Sequence, residues 1–165
     1  MKMKILELQK EVVDALNGVE ELVQGGCMAF AEDERETYKA APARVAAGKV
    51  ALVVVTPEMA RNGIAQGGIP AETELHVRCS EIPPVAARQQ GVMRALDAAE
   101  VVMHALDGEL FSWRSTRQVM DERTGTLTAV VVFDTTVKLT RGQGPGASTE
   151  ESGGSTEGSV LTPLY

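Results

Sequence analysis

The chain has 165 residues, of which 44% are hydrophobic, 24% charged and 4% aromatic, and its formal net charge is −7. This length supports one hydrophobic core, because a chain of ~150 residues buries ~68–70% of the surface that it exposes when unfolded. The composition excludes disulfide-rich miniproteins, collagen and wholly disordered polymers. No apolar run approaches the ~18–20 residues of a membrane-spanning helix, so we expect no membrane association.

The N-terminus predicts a protein kept in a cytosol-like compartment. Lys2 and Lys4 are followed within a few residues by Glu7 rather than by an apolar run, so the pattern of a signal peptide is missing. In a reducing compartment, two cysteines without metal-ligand spacing are usually small buried hydrophobes. We therefore expect Cys27 and Cys79 to be free thiols.

The acidic charge is divided between the two parts of the chain. Residues 142–165 contain three glutamates and no Lys or Arg, and thus carry −3 of the total of −7. An acidic surface repels phosphates, which argues against a protein that grips nucleic acid. The same charge is compatible with a pore through which DNA slides.

The first 23 residues predict an amphipathic helix, because apolar side chains recur in steps of three and four. These are Ile5, Leu8, Val12, Ala15, Val19 and Leu22. Asn17-Gly18 is a weak point at which this helix ends or bends, since Gly costs ~1 kcal/mol relative to Ala inside a helix. A short strand at 27–30 and a long connection through residue 48 are expected to follow.

The middle of the chain predicts two strands separated by a long loop. The β-branched run at 49–55 ends at Thr56-Pro57, which favours a buried strand. The density of Gly and Pro at 56–71 predicts the loop. Loops of this length are uncommon unless they are functional or held by a partner, so this segment is a candidate contact arm. Residues 73–79 alternate between apolar and polar, which predicts a half-buried strand.

The second half of the body predicts a helix and a long hairpin. Pro83-Pro84 stops the preceding strand and presets a helix start, and apolar residues then recur at helical spacing until Gly108. The runs 117–122 and 126–139 flank a three-residue turn, which predicts a β-hairpin. A 14-residue strand would extend ~45 Å, so we expect its far end to leave the core of its own subunit.

The C-terminal residues differ in composition from everything before them. Residues 141–159 are nearly all small or polar and predict a flexible tail. The tail ends in an apolar tip at 160–165, for which docking on a neighbouring subunit and a frayed end are both open. We therefore divide the chain into an α+β domain at 1–140 and a Gly/Ser/Glu-rich tail at 141–165.

No catalytic, cofactor or metal site is predicted. His76 and Cys79 are three residues apart on a predicted strand, so their side chains point to opposite faces and cannot form a dyad. His104 has no second histidine at metal-ligand spacing. The glycine-rich run that follows Arg141 has no Lys to neutralise phosphate and no helix after it.

The predicted order gives an α+β fold, a mainly antiparallel sheet with two helices on one face and a long C-terminal hairpin. In layout and size it resembles the tail terminator (tail completion) and minor tail proteins of tailed bacteriophages. The resemblance covers roughly residues 5–140. It is carried by ALVVVTPE, ELHVRCSEIPP, VMRALDAAEVVMHALDGE and RQVMDERTGTLTAVVVFDTTVKL.

The resemblance implies a structural virion protein without enzymatic activity. Such a protein forms a ring, of six copies in this family, that ends polymerisation of the tail tube and offers the surface for head or neck attachment. Its partners would be other copies of itself, the tail tube protein and a neck or head-completion protein, and DNA would pass through the lumen without specific binding. Its place would be the tail or neck of the virion, reached from the host bacterial cytoplasm.

A ring interface is heterologous and needs an arm on one side and a receiving surface on the other. The candidate interface residues come from the loop, the overhanging strand and the tip: Pro57, Met59, Ile64, Ile69, Phe133, Val137, Leu139, Leu161, Leu164 and Tyr165. The alternatives are a small cytosolic enzyme that uses Cys79 or His76, another ring of the neck or tail, and an adaptor that binds a peptide at a sheet edge.

Overall fold

One mixed, mostly antiparallel sheet with helices packed on it makes up the protein, which confirms the predicted α+β class. The computed structural model describes residues 2–63 and 67–140. The strands are β1 (Lys2–Met3), β2 (Met28–Ala31), β3 (Ala51–Val55), β4 (Met59–Arg61), β5 (Ile69–Glu81), β6 (Ser112–Asp121) and β7 (Thr126–Leu139). The helices are α1 (Ile5–Asn17), α2 (Glu20–Gln24), α3 (Thr37–Ala46), α4 (Pro83–Ala86) and α5 (Ala95–Leu106).

The sheet is built around two long antiparallel strands, β5 and β7. Their register runs from Ile69 opposite Leu139 to Glu81 opposite Leu127. The strand order is β1-β7-β5-β3-β2, with β4 also beside β5 and β6 also beside β7. The β2–β3 and β1–β7 pairs are parallel and the others are antiparallel.

The main core lies on one face of the sheet, under α1, α2 and α5. The alternation predicted for residues 73–79 places Leu75, Val77 and Cys79 on this face, and all three are completely buried. Ala129, Val131 and Phe133 of β7 stand beside them in the same layer. The break predicted at Asn17-Gly18 is confirmed, since α1 ends at Asn17 and α2 begins at Glu20.

The opposite face carries α3, where we predicted only a long connection. That prediction is wrong because Pro42 and a run of alanines hide the helix in the sequence. Ala41 and Val45, one turn apart, pack against Phe30 and Ala51 and form a second, smaller core. The helix is short, and tertiary packing of two side chains outweighs its weak local pattern.

The helix predicted directly after Pro83-Pro84 is interrupted. A single turn, α4, ends at Ala86, and α5 begins only at Ala95. The start of α5 is set by a distant group, because the carboxylate of Glu81 accepts a hydrogen bond from the Ala95 N–H at 3.0 Å. Such a contact leaves no signal in the local periodicity.

The segment 56–71, predicted as a loop, contains β4. Met59 pairs with Thr73 and Arg61 with Ala71, so much of the segment is a hairpin with the start of β5. β5 is longer than the predicted strand at 73–79 and offers its early residues to β4 as a partner. The three residues of β4 are too few to show a strand period of their own.

The predicted hairpin at the C-terminal end of the body is confirmed as β6 and β7, but β7 does not overhang. β5 pairs with it through Leu139, and its other edge is paired with β6 up to Asp134 and with β1 at Lys138 and Leu139. Val137 packs on Leu8 of α1 in a small core of its own. The prediction of an overhang is therefore wrong, because β5 matches β7 in length.

Candidate assembly surfaces

The outer edge of β6 is the longest free strand edge in the described part of the chain. β6 pairs with β7 on one side only. Every second residue of an antiparallel strand turns its backbone N–H and C=O groups away from its partner, so these groups of β6 face outwards. Exposed apolar side chains accompany them, with 43% of Trp113, 48% of Val119 and 51% of Met120 accessible. At Trp113 the edge is occupied, because the Trp113 N–H donates a hydrogen bond to Asp107 Oδ1 at 2.8 Å. Beyond the bulge, from Ser115 to Asp121, the edge can accept a further strand.

The opposite end of the sheet is closed by a side chain. The Asn17 amide, at the end of α1, accepts a hydrogen bond from the Ala29 N–H at 2.8 Å. It also donates one to the Ala29 carbonyl at 3.1 Å. The asparagine thus takes the place that a pairing strand would occupy on β2. The two ends of the sheet differ, since among the described residues β6 has an unpaired edge of 10 residues and β4 has one of three residues.

The β4–β5 hairpin forms a second exposed apolar feature. Met59 and Ile69 are 43% and 49% accessible, and Pro57 is exposed beside them. Their exposure agrees with the contact arm predicted for this segment. Ile64 lies outside the described residues.

Ionic contacts cover one end of the sheet face opposite the main core. Arg114, at the bulge of β6, donates one hydrogen bond from Nη2 to Glu74 Oε1, and its Nη1 lies 3.2 Å from Asp134 Oδ1. The Nε2 of His76 lies 3.0 Å from the other Glu74 oxygen. The Arg114 hydrogen bond holds the pKa of Glu74 below its ordinary value. With Glu58 and Glu72 close by, this end of the face is acidic.

Two arginines lie further along the same face, between this acidic cluster and Asp121 near the β6–β7 turn. Arg78 of β5 and Arg117 of β6 stand on either side of Val130 of β7. Both guanidinium groups lack a carboxylate within 4.0 Å in residues 2–63 and 67–140. The acidic cluster and the two arginines therefore occupy separate positions along the strands of this face.

The two cysteines are packed in the core and are poorly suited to nucleophilic chemistry. Burial raises the pKa of Cys27 to about 11 and raises that of Cys79 further. Cys79 and His76 occupy opposite faces of β5, as predicted. In the described ranges, no three His, Cys, Asp or Glu side chains are grouped to hold a metal ion. No helix among the described residues has the length and apolarity needed to cross a membrane.

The candidate interface residues fall into three groups. Pro57, Met59 and Ile69 are exposed, and Leu139 is half-buried against α1. Phe133 and Val137 are buried in the chain's own core, so they are not part of an exposed surface. The predicted tip residues Leu161, Leu164 and Tyr165 lie outside the described residues.

Trp113, Val119 and Met120 were missed as surface residues. The available signal was three apolar residues in an otherwise polar run next to the turn, but such a run does not show that no strand lies outside β6. The role of Asn17 has no sequence signal beyond its place at a helix end.

Comparison with known proteins gives a likeness of fold. No protein-family model and no curated protein matches the chain. Among solved structures, a chain of the virion of the native gene transfer agent (GTA) particle matches with a TM-score of 0.55 and 15% sequence identity. The match covers 79% of this chain and 94% of that chain. This protein therefore shares its fold with a component of a phage-like particle.

Proposed function

We propose that this protein is a structural component of a phage-like virion, and that it forms a ring of six copies at the end of the tail tube. The observation that carries the proposal is the shared fold, because the match extends over 94% of a virion chain. In this role the ring ends polymerisation of the tube and offers the attachment surface for the neck or head. Its partners are other copies of itself, the tail tube protein and a neck protein.

The sheet offers two unlike surfaces, the open edge of β6 and the exposed β4–β5 hairpin, which is what a closed ring needs. A ring interface joins two different surfaces, and closure after a fixed number of copies limits growth. β6 has an open edge, whereas β2 is capped by Asn17. The exposed β4–β5 hairpin lies on the other side of β5 from β6 and can serve as the arm. Each copy then presents one receiving edge and one projecting arm.

The net charge of −7 per copy supports a lumen through which DNA passes without being held. Phosphates are repelled from an acidic wall, so the polymer has no site at which to stick. The ring would act by its shape, and no residue of the chain needs a catalytic role.

The test combines light scattering, electron micrographs of the purified full chain, and tube binding. We expect a discrete oligomer, ring-shaped particles, and label at one end only of purified tail tubes. If the labelled protein bound along the whole tube, or bound only to isolated neck structures, the chain would belong to another ring of the particle. A strictly monomeric chain at high concentration would contradict the proposal.

A charged variant of the β6 edge sharpens this test. Val119→Lys with Met120→Lys should leave the fold intact and abolish the oligomer, because two ammonium groups would have to be desolvated at the interface. The matched control is Val23→Lys on α2, which is exposed but lies on the helical layer. Oligomers of unchanged size in the β6 variant would remove β6 from the interface.

A further inference from the structure

An apolar groove lies on the face opposite the main core, between α3 and the loop that joins β6 to β7. It has a volume of about 360 Å³, and Ala41, Val45, Val53 and Ile82 form its floor while Thr124 stands at its rim. α3 covers only the β2–β3 end of this face. The groove lies where the contact between α3 and the sheet ends. Apolar side chains of both α3 and the sheet are therefore accessible there.

Two arginines without a carboxylate partner among the described residues lie on the sheet beside the groove, and Asp121 lies on the same face next to Thr126. Arg78 stands directly opposite Val53 in the β3–β5 register, and Arg117 follows on the same face beyond Val130. Both guanidinium groups are exposed. A peptide segment with an apolar end preceded by acidic residues would complement both, the apolar end fitting the groove and the carboxylates facing the arginines.

The C-terminal segment of this chain has that chemistry. Residues 160–165 read VLTPLY, and residues 142–165 contain Glu150, Glu151 and Glu157 without any Lys or Arg. Pro163 disfavours a helix through the tip, so an extended segment that lays apolar side chains into a groove is the favoured bound form.

We propose that residues 160–165 of one copy dock in this groove on a neighbouring copy. The inference rests on the proposed function, since it needs an assembled neighbour. The tip would act as a clasp between subunits, with the glutamates of its tether facing Arg78 and Arg117.

The length of the segment between β7 and the tip makes docking in the chain's own groove unfavourable. The tail leaves from the end of β7, whereas the groove lies near its beginning, because Thr126 lines it. At ~3.3 Å per residue, the 14 residues of β7 separate these points by about 43 Å. A random coil of about 19 residues has a root-mean-square span of only about 24 Å. Docking in its own groove would stretch the tether to nearly twice that span.

Disulfide trapping in the full chain tests this arrangement. Cys27 and Cys79 are buried, with pKa values raised by burial, so they contribute little background. A Thr124→Cys chain is mixed with a Leu164→Cys chain, oxidised mildly and run on a non-reducing gel. We expect the linked pair to form about tenfold faster than with the control, because docking holds the tip at a high effective concentration. The control is Gln118→Cys, exposed on the opposite face of the sheet.

Three outcomes are decisive. Equal rates with Thr124→Cys and Gln118→Cys would overturn the docking site. A closed monomer as the sole product of the double variant Thr124→Cys/Leu164→Cys would show docking within one copy and overturn the neighbour. Adding Arg78→Glu and Arg117→Glu should slow the trapping, and an unchanged rate would remove the charge contribution.

Light scattering on the same samples separates this inference from the proposed function. If the chain forms a discrete oligomer but Thr124→Cys is trapped no faster than Gln118→Cys, the docking of the tip is contradicted and the proposed ring is not. A monomer without trapping contradicts both.

Discussion

At the scale of single residues, Glu81 shows how a buried carboxylate can organise the fold. Only 2% of it is accessible, and it accepts hydrogen bonds from Arg94 Nε at 2.8 Å and Arg94 Nη2 at 2.9 Å. It also accepts the Ala95 N–H, which starts α5. One side chain at the end of β5 thus fixes where the next long helix begins.

Glu81→Gln should lower the free energy of unfolding by about 1.5–3 kcal/mol, because an amide cannot accept all of these bonds and loses the charge that strengthens them. Urea denaturation followed by circular dichroism measures the change. The matched control is Glu100→Gln, exposed on α5, for which we expect a change within about 0.5 kcal/mol. Equal stability of both variants would show that the Glu81 contacts do not contribute.

The Glu74–Arg114 pair predicts a pH dependence. Arg114 lowers the pKa of Glu74 from the ordinary 4.5, so the folded state releases this proton more readily than the unfolded chain. The stabilisation is therefore fully present above about pH 4.5 and is lost as the pH falls through the lowered folded value. The stability difference between the natural chain and Arg114→Gln should be constant near neutrality and shrink in acid. Urea titrations from pH 7 to pH 3 measure it, and a difference independent of pH would contradict the assignment.

At the scale of secondary-structure elements, the sheet edges are treated differently. β2 is short, and the Asn17 amide closes its edge, whereas β6 presents 10 residues with exposed apolar side chains. Free edges invite pairing with other chains, and proteins generally block those that they do not use. The contrast between the two edges is the main reason to regard β6 as an assembly surface.

Asn17→Ala should lower the free energy of unfolding by about 1–3 kcal/mol, since two hydrogen bonds to β2 are lost. It should also expose the β2 edge and increase aggregation on heating, followed by light scattering. The control is Asn62→Ala, whose exposed amide bonds only to Glu72. If both variants behave alike, Asn17 does not guard the edge.

Elements with strong local patterns were predictable, and those created by a partner were not. The run at 49–55 and the β6–β7 hairpin carry their own period and turn chemistry, with Gly125 at a φ of 70° in the turn. β4 is stabilised by its pairing with β5. α3 is stabilised by packing on Phe30. Their local signals are weaker than the Gly and Pro residues around them.

At the scale of the whole molecule, the described residues form three clusters of buried apolar side chains. The three clusters of buried apolar side chains all lie between Leu8 and Val137. The tail carries three glutamates and an apolar tip, and the docking proposed above predicts that it contributes to assembly rather than to folding.

Deleting residues 142–165 should therefore change the free energy of unfolding of the monomeric form by less than about 0.5 kcal/mol. Urea denaturation at low concentration measures this value, and light scattering at high concentration shows whether assembly is weakened. Replacing residues 160–165 by Gly and Ser is the length-matched control for the tip. A loss of more than about 1 kcal/mol on deletion would mean that the tail contributes to the fold.

The sequence by itself determined the class of the fold, the alternation that buries Leu75, Val77 and Cys79, the break at Asn17-Gly18 and the separation of His76 from Cys79. Each follows from a period of two or 3.6 residues, or from a residue that breaks one, and such signals are local. Only the tertiary structure decided that Phe133 and Val137 belong to the core, that β6 has the free edge, and that a groove lies beside α3. These depend on which strand lies next to which, a relation set by contacts between residues far apart in the chain.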